Sequence, residues 1–304
     1  MVTVKVPATS ANIGSGFDSI GVALQIYNTI TVEETNEGLR IDILDETRDF
    51  LPRDSRNLVY RAMQKVFDEV GYVYKGIHIT QDNKIPVTRG LGSSSASIVG
   101  GLVAANKICK NALSNDKIMM LAAELEGHPD NTTAAITGGM AIAVMADKIY
   151  NITLPIDEEK LCFAIFVPDF ILRTKRARRA LPRTIPHSDG VFNAGRAALL
   201  AASIATERYD NLKTALEDRL HQPYRMGLIE GVDILFKKSS DFGALGSYIS
   251  GAGPSIIAIV KAEKQQEFYT KMNEFLSCEM YKWKLQMVKP DNKGVKIIEG
   301  GQEF

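Results

Sequence analysis

The most informative stretch of this 304-residue chain is Pro86-Val-Thr-Arg-Gly-Leu-Gly-Ser-Ser-Ser-Ala-Ser97. Gly90 and Gly92 allow the backbone to bend and to approach a ligand closely. Serines follow, and an apolar helix is predicted to begin at Ser95. The first N–H groups of a helix have no partner within it, and the helix dipole adds partial positive charge there. The stretch therefore predicts an anion site that suits phosphate.

The same residues exclude two common phosphate-binding loops. A P-loop needs the pattern GxxxxGK[ST], and the required lysine is missing. A dinucleotide-binding fingerprint needs a third glycine where Ser95 stands. The remaining alternative is a flexible loop capped by serine, which the flanking Pro86 and the immediate helix make the weaker interpretation.

The segments on either side of this loop mix strands and helices. Strands are predicted over residues 2–6, 28–34, 39–44, 76–80, 161–167, 248–249, 256–260 and 281–287. Helices are predicted over residues 57–70, 95–108, 114–127, 190–208, 227–238 and 264–276. Because the turn residues 35–38 separate two strands, we expect a hairpin there. The pattern favours an α+β fold with antiparallel or mixed sheets.

Composition narrows the class of protein. The chain has 36 basic and 36 acidic residues, and this zero net charge argues against a nucleic-acid or anionic-membrane binder. Its three cysteines are dispersed, which fits neither a disulfide framework nor a zinc knuckle. The most apolar stretch, residues 134–146, is too short to span a bilayer. With no secretory signal pattern at residues 1–7, we expect a cytoplasmic enzyme with two domains that divide near Pro155.

Three motifs carry a resemblance to a known superfamily. The pattern P-x-x-x-G-L-G-S-S-S-A at residues 86–96 resembles the nucleotide-binding motif of the GHMP small-molecule kinases. The loop SGAGPSI at residues 250–256 is similar to the third motif of that superfamily. The segment VPATSANIGSGFD at residues 6–18 resembles the homoserine kinase pattern P-A-T-S-A-N-x-G-x-G-F-D, without the basic residue usual in mevalonate and galactose kinases. The patterns T-x-x-x-R-x-x-L-P (174–182) and H-x-P-Y-R (221–225) also resemble homoserine kinases.

The resemblance implies a fold and an activity. The fold would combine a ribosomal-protein-S5-domain-2-like N-terminal domain over residues 1–155 with a ferredoxin-like C-terminal domain over residues 156–304. ATP, accompanied by Mg2+, would phosphorylate the side-chain hydroxyl of L-homoserine, a step of threonine biosynthesis. Homodimers are common in the superfamily, and neither nucleic acid nor a membrane is expected as a partner. The alternatives are another GHMP small-molecule kinase or a catalytically inactive GHMP-fold binding protein.

The resemblance also assigns the nucleotide and metal contacts. The nucleotide would contact Pro86, Val87, Thr88, Arg89, Gly90, Leu91, Gly92, Ser93, Ser94, Ser95, Ala96, Gly251 and Gly253. Magnesium takes few protein ligands, usually one or two oxygens. The expected ligands are Glu124 and Ser94, with Glu126 as the alternative carboxylate and Ser93 or Ser95 as the alternative hydroxyl.

Substrate contacts come from both halves of the chain. Arg178 and Arg225 are expected to bind a carboxylate, since a planar guanidinium fits it with two parallel hydrogen bonds. Thr174 and Asn12 would assist, and Asp18 would take the ammonium group or orient the hydroxyl. The other basic side chains of residues 173–183 are expected to form a solvated helix face.

The resemblance also implies that His128, Asp130 and Asn131 lie near the substrate and take part in catalysis. Two proton routes are open at this level. Either Asp130 acts as the base, or no side chain does and the proton passes to the phosphate. A plain alternative for His128 is a surface histidine at a helix end.

Overall fold

The computed structural model describes residues 1–278, 282–299 and 302–303. The strands are β1 (Val2–Asn12), β2 (Gly16–Thr35), β3 (Gly38–Ile43), β4 (Gly76–Asn83), β5 (Met140–Met145), β6 (Ile149–Leu154), β7 (Leu161–Pro168), β8 (Gly246–Ile249), β9 (Ile256–Lys261), β10 (Trp283–Val288), β11 (Lys296–Glu299) and β12 (Gln302–Glu303). The helices are α1 (Leu58–Val70), α2 (Ser93–Ile108), α3 (Asn115–Glu126), α4 (Asp130–Thr137), α5 (Thr174–Arg179), α6 (His187–Ala205), α7 (Leu212–Ala215), α8 (Gln222–Met226), α9 (Val232–Asp241) and α10 (Gln265–Cys278).

The first sheet has the strand order β12-β11-β1-β2-β4-β3, and β5 joins β2 and β6. The hairpin predicted across residues 35–38 is wrong, because β4 lies between β2 and β3 and pairs with both of them. The turn residues indicate that the chain reverses direction, but they do not determine which strands become neighbours. That depends on which strand is buried most deeply in the sheet. In β4, Ile77 and Ile79 are fully buried, which suits an interior strand. The shorter β3 takes the edge and runs parallel to β4.

Helices α1 and α2 cover this sheet. The side chain of Asn57 caps α1 by accepting from the N–H of Val59, and α1 ends at Gly71 with φ 67°. A Cβ on Gly101 of α2 would lie 2.4 Å from the carbonyl oxygen of Val59. Because Gly101 has no side chain, α2 packs closely on α1. This close packing helps to set the position of the N-terminus of α2. The helices predicted over 57–70, 95–108 and 114–127 are confirmed.

The second sheet has the antiparallel order β10-β7-β9-β8. In chain order the unit is β7, helices, β8, β9, α10 and β10, which is the ferredoxin-like βαββαβ arrangement. Tyr281, predicted in the last of these strands, lies outside the described residues. β11 returns to the first sheet and pairs with β1, and the domain boundary at residue 155 stays a prediction.

Some elements were not predicted or are shifted. The hairpin of β5 and β6 was not predicted: β5 lies within the apolar stretch 134–146, and β6 lies outside it. The helix predicted over 227–238 begins at Val232. Among the described residues, no helix is both long and apolar enough to cross a membrane.

Candidate active site

A cleft of about 330 Å³ brings most of the predicted site residues together. Its lining includes Asn12, Asp18, Pro86, Val87, Thr88, Arg89, Gly90, Leu91, Gly92, Ser93, Ser94, His128, Asp130, Asn131, Thr174, Arg178, Arg225 and Gly251. Of the predicted residues, Ser95, Ala96, Glu124 and Gly253 do not line it. Leu51 and Leu58, which the sequence did not single out, add apolar wall beside Pro86 and Val87.

The glycines of the loop before α2 are required by close contacts. Gly90 and Gly92 have φ 75° and 68°, in the left-handed region that favours glycine. A Cβ on Gly92 would lie 1.9 Å from the hydroxyl oxygen of Thr9, and one on Gly90 would lie 2.3 Å from the carbonyl oxygen of Ser250. The Ser250 hydroxyl donates to the Gly90 carbonyl at 2.5 Å. The loop is thus held between β1 and the segment after β8.

Helix α2 starts at Ser93 directly behind this loop. Its first internal donor is the N–H of Ala96, which bonds the carbonyl of Gly92 at 2.8 Å. The N–H groups of the preceding serines therefore have no acceptor in the helix, and together with the helix dipole they favour an anion at this end of the cleft.

A carboxylate faces the serines of this helix start. The hydroxyls of Ser94 and Ser95 donate to the two oxygens of Glu126 at 2.9 and 3.0 Å. Of the two carboxylates that the sequence left open as metal ligand, Glu126 lines the cleft and Glu124 does not. Two residues correspond to about 200° around a helix, so Glu124 lies on the opposite, exposed face of α3. Glu126 is the last residue of α3 before Gly127 ends it.

An ion pair crosses the cleft between Asp18 and Arg178. The two guanidinium nitrogens of Arg178 donate to the two oxygens of Asp18 at 3.0 and 2.9 Å. Burial lowers the pKa of Arg178, but the hydrogen bond and charge of Asp18 outweigh it, so the net shift is upward. The Asn12 side chain positions Asp18 by accepting from its N–H at 2.9 Å and by donating to the Gly251 carbonyl at 2.7 Å. Thr174 lies one turn before Arg178 and also lines the cleft.

Asp130 and its neighbours form the buried floor of the site. Asp130 is 1% exposed, and its Oδ1 lies 2.6 Å from Nδ1 of His128 and accepts from the N–H of Asn131 at 2.7 Å. The Thr9 hydroxyl donates to the side-chain oxygen of Asn131 at 2.8 Å. Burial lowers the pKa of His128. The bond to Asp130 and the negative charges of Asp130 and Glu126 together outweigh burial, so the net shift of the pKa is upward. This favours an imidazolium.

The ligating atoms of Asp18, His128 and Asp130 lie within 4.8 Å of one another. Two carboxylates and a histidine in one place could hold a cation. Asp18 is already paired with Arg178, and Asp130 is bonded to His128, so the cluster is charge-compensated from within.

Arg225 is a fully buried cation in the wall of the cleft. One of its terminal nitrogens, Nη1, donates to the Gly251 carbonyl at 2.8 Å and lies 3.1 Å from Nδ1 of His221. Burial and the charge of Arg178 lower the pKa of Arg225 to about 10, so it stays charged at neutral pH. Its Nε is buried without a hydrogen-bond partner among the described residues. The H-x-P-Y-R pattern was the only signal for His221.

The basic run behaves largely as expected. Arg173, Lys175, Arg176, Arg179 and Arg183 are exposed, which agrees with a solvated face. Of the basic side chains of residues 173–183, that of Arg178 alone lines the cleft.

Comparison with known proteins identifies the family. The family models for the GHMP kinases N terminal domain and the GHMP kinases C terminal match residues 57–139 and 198–278. A homoserine kinase of Caldicellulosiruptor saccharolyticus is 47% identical over 98% of this chain and 97% of the relative. One of Clostridium botulinum (strain Alaska E43 / Type E3) is 43% identical over 99% of each chain. This chain belongs to the homoserine kinase family of the GHMP kinases.

Solved structures agree with this family. The crystal structure of homoserine kinase from Cytophaga hutchinsonii superposes with a TM-score of 0.89 at 29% identity, over 98% of this chain and 97% of that one. The mevalonate kinase of Methanococcus jannaschii superposes with a TM-score of 0.69 at 16% identity, over 95% and 98%, which shows the shared fold alone. The predicted superfamily, family and fold class are confirmed.

Proposed function

We propose that this member of the homoserine kinase family transfers the γ-phosphate of ATP to the side-chain hydroxyl of L-homoserine, giving O-phospho-L-homoserine for threonine biosynthesis. The observation that carries the proposal is the Asp18–Arg178 ion pair in the same cleft as the glycine-serine loop. One half of the cleft suits polyphosphate and the other suits a small zwitterion. The named homoserine kinases that cover nearly the whole chain support the same substrate.

ATP would lie along the loop that precedes α2. Its phosphates would face the free N–H groups at the start of α2. Its base would lie against the apolar wall of the cleft, which Leu51, Leu58, Pro86 and Val87 form. A flat, weakly polar base gains free energy from such a wall by leaving water.

The residues at the start of α2 also fit Mg2+. The carboxylate of Glu126 and the hydroxyls of Ser94 and Ser95 are hard oxygen donors in mutual contact, and oxygen is the ligand that Mg2+ prefers. We propose Glu126 and Ser94 as the holding pair, since both line the cleft and Ser95 does not. When bound there, the ion would neutralise negative charge on the β- and γ-phosphates.

L-homoserine would bind by opening the Asp18–Arg178 pair. Its carboxylate would take the place of Asp18 on Arg178 and approach the buried Arg225, while its ammonium group would replace Arg178 on Asp18. Each protein charge then exchanges one opposite partner for another, so little net charge has to be desolvated. Thr174 and Asn12 would complete the contacts. A sugar lacks the carboxylate and mevalonate lacks the ammonium group, so neither satisfies both partners.

The hydroxyl proton would pass to the transferred phosphate rather than to a side chain. Oδ1 of Asp130 already accepts from Asn131 and is bonded to His128, whose pKa is raised. This oxygen is thus already engaged by two neighbours, and the loose transition state of phosphoryl transfer needs positioning more than proton removal. Asp130 would hold His128 and Asn131 against the hydroxyl.

Two assays test these assignments. ADP release from Mg-ATP is measured with L-homoserine, mevalonate, galactose and L-serine in parallel. We expect turnover with L-homoserine alone, and turnover with another alcohol instead would overturn the substrate. Asp130→Asn is expected to lower kcat by less than about a hundredfold, whereas a loss of about a thousandfold at unchanged KM would identify Asp130 as a base. A cytoplasmic location, expected from the sequence, and a homodimer, expected from the family resemblance, stay proposals.

A further inference from the structure

We propose that His221 is a positioning residue for this reaction: as a neutral imidazole, it holds the guanidinium of Arg225 ready for the substrate carboxylate. The inference rests on the proposed function, because it assumes that Arg225 binds that carboxylate. His221 does not line the cleft, so it acts only through Arg225.

The two ring nitrogens of His221 have different partners. Nδ1 lies 3.1 Å from Nη1 of Arg225, and Nε2 lies 2.8 Å from the carbonyl oxygen of Gly14. A guanidinium can only donate hydrogen bonds, so Nδ1 must accept. A carbonyl can only accept, so Nε2 must carry the ring hydrogen. Only one neutral tautomer satisfies both contacts, and an imidazolium could not accept from Arg225.

These contacts connect both sides of the substrate pocket. Gly14 lies in the turn between β1 and β2, and the His221 ring stacks on Phe17, with centroids 5.2 Å apart and planes inclined by 21°. Phe17 directly precedes Asp18, the proposed ammonium partner. His221 thus fixes Arg225 relative to the segment that carries Asp18, across more than 200 residues of sequence.

The surroundings keep the ring neutral. His221 is fully buried, and burial lowers its pKa to about 4, a shift that the charge of Arg225 reinforces and the charges of Asp218 and Asp18 oppose. Asp218 is compensated by other donors. Its Oδ2 accepts from the backbone N–H groups of His221 and Gln222, at 2.9 and 2.6 Å. The same oxygen lies 3.5 Å from Nε2 of His221, farther than the two backbone donors and than the Gly14 carbonyl, which is the nearer partner of Nε2.

Two substitutions separate the roles of the two nitrogens. In His221→Asn the side-chain amide stands near the position of Nδ1 and can still accept from Arg225. In His221→Gln the longer side chain places its amide near the position of Nε2. There the amide can donate to the Gly14 carbonyl but cannot accept from Arg225. His78→Gln is the matched control, since His78 is bonded to Asp42 on the first sheet and does not line the cleft.

The Michaelis constants for both substrates are then measured. We expect His221→Gln to raise KM for L-homoserine by about tenfold to a hundredfold, because a charged buried donor loses its acceptor. KM for ATP should stay within about twofold of its value in the unaltered protein. His221→Asn should recover most of the loss. Equal increases in both KM values, or equal effects of the two variants, would mean a merely structural role and overturn the proposal.

Arg225→Lys separates this inference from the proposed function. If Arg225→Lys leaves KM for L-homoserine unchanged, the carboxylate assignment itself fails. If it raises KM, adding His221→Gln to it should cause little further increase, because His221 acts through the guanidinium. A fully additive double variant would contradict the proposal while leaving the carboxylate assignment standing.

A spectroscopic measurement on the unaltered protein needs no variant to fold. Nitrogen-15 NMR of the His221 ring should show an unprotonated Nδ1 and a protonated Nε2 from pH 5.5 to pH 8. A ring that gains a second proton near pH 6, or that carries its hydrogen on Nδ1, would refute the inference.

Discussion

Replacing Gly92 by alanine tests how the phosphate loop is held. Gly92 has φ 68°, where a side chain costs about 1–2 kcal/mol, and its Cβ would lie 1.9 Å from the hydroxyl oxygen of Thr9. That hydroxyl would have to turn away from Asn131, and leaving a buried acceptor unpaired costs a further 1–3 kcal/mol or so. We therefore expect Gly92→Ala to lower the free energy of unfolding by about 2–5 kcal/mol and to raise KM for ATP at least about tenfold.

Gly71 supplies the matched control for this substitution. Its φ is 67°, and a Cβ there would have no heavy atom within 4 Å. Gly71→Ala should therefore cost only the backbone strain, about 1–2 kcal/mol, and leave KM for ATP unchanged. Urea unfolding and steady-state kinetics are measured on both variants. Equal destabilisation with equal KM values for ATP would refute the role given to the contact between Gly92 and Thr9.

Three further predictions concern the charged groups of the cleft. Glu126→Gln should raise the Mg2+ concentration for half-maximal activity at least about tenfold, while Glu124→Gln leaves it unchanged. A metal titration that gives the larger effect to Glu124→Gln contradicts the proposed role of Glu126. Arg178→Lys should raise KM for L-homoserine about tenfold or more without changing KM for ATP, since an ammonium cannot make the paired bonds; initial rates decide this. Because the pKa of His128 is raised in the folded state, its contact with Asp130 stabilises most below pH 6.5, and this contribution is lost as the pH rises through the folded pKa. Between pH 5 and pH 9 the free energy of unfolding, measured in urea, should thus fall more steeply for the unaltered protein than for His128→Asn. Parallel curves for the two proteins would contradict a stabilising contact between His128 and Asp130.

Local signals in the sequence predicted the elements that local chemistry decides. Helix α1 lies between Asn57 and Gly71 because a side-chain cap and a left-handed glycine set its two ends. The phosphate loop was recognisable for the same reason, since the spacing of Gly90 and Gly92 before a helix start is a feature of one short segment.

What the sequence could not decide depends on distant contacts. Nothing at residues 35–38 indicates that β4 enters between β2 and β3, because that pairing depends on the burial of a strand 40 residues away. The choice between Glu124 and Glu126 depends on which face of α3 meets α2. His221 bonds Gly14 across 207 residues of sequence, and no local pattern indicates such a contact.

Phosphorus-31 NMR of the purified protein with Mg-ATP tests the central claim most directly. With L-homoserine present, we predict a new phosphomonoester resonance that grows as the γ-phosphate signal of ATP declines. The amount of phosphomonoester formed should equal the amount of γ-phosphate lost. The product should have the mass of O-phospho-L-homoserine. Loss of the γ-phosphate to inorganic phosphate alone, or ATP binding with no phosphoryl transfer to L-homoserine, would contradict the account.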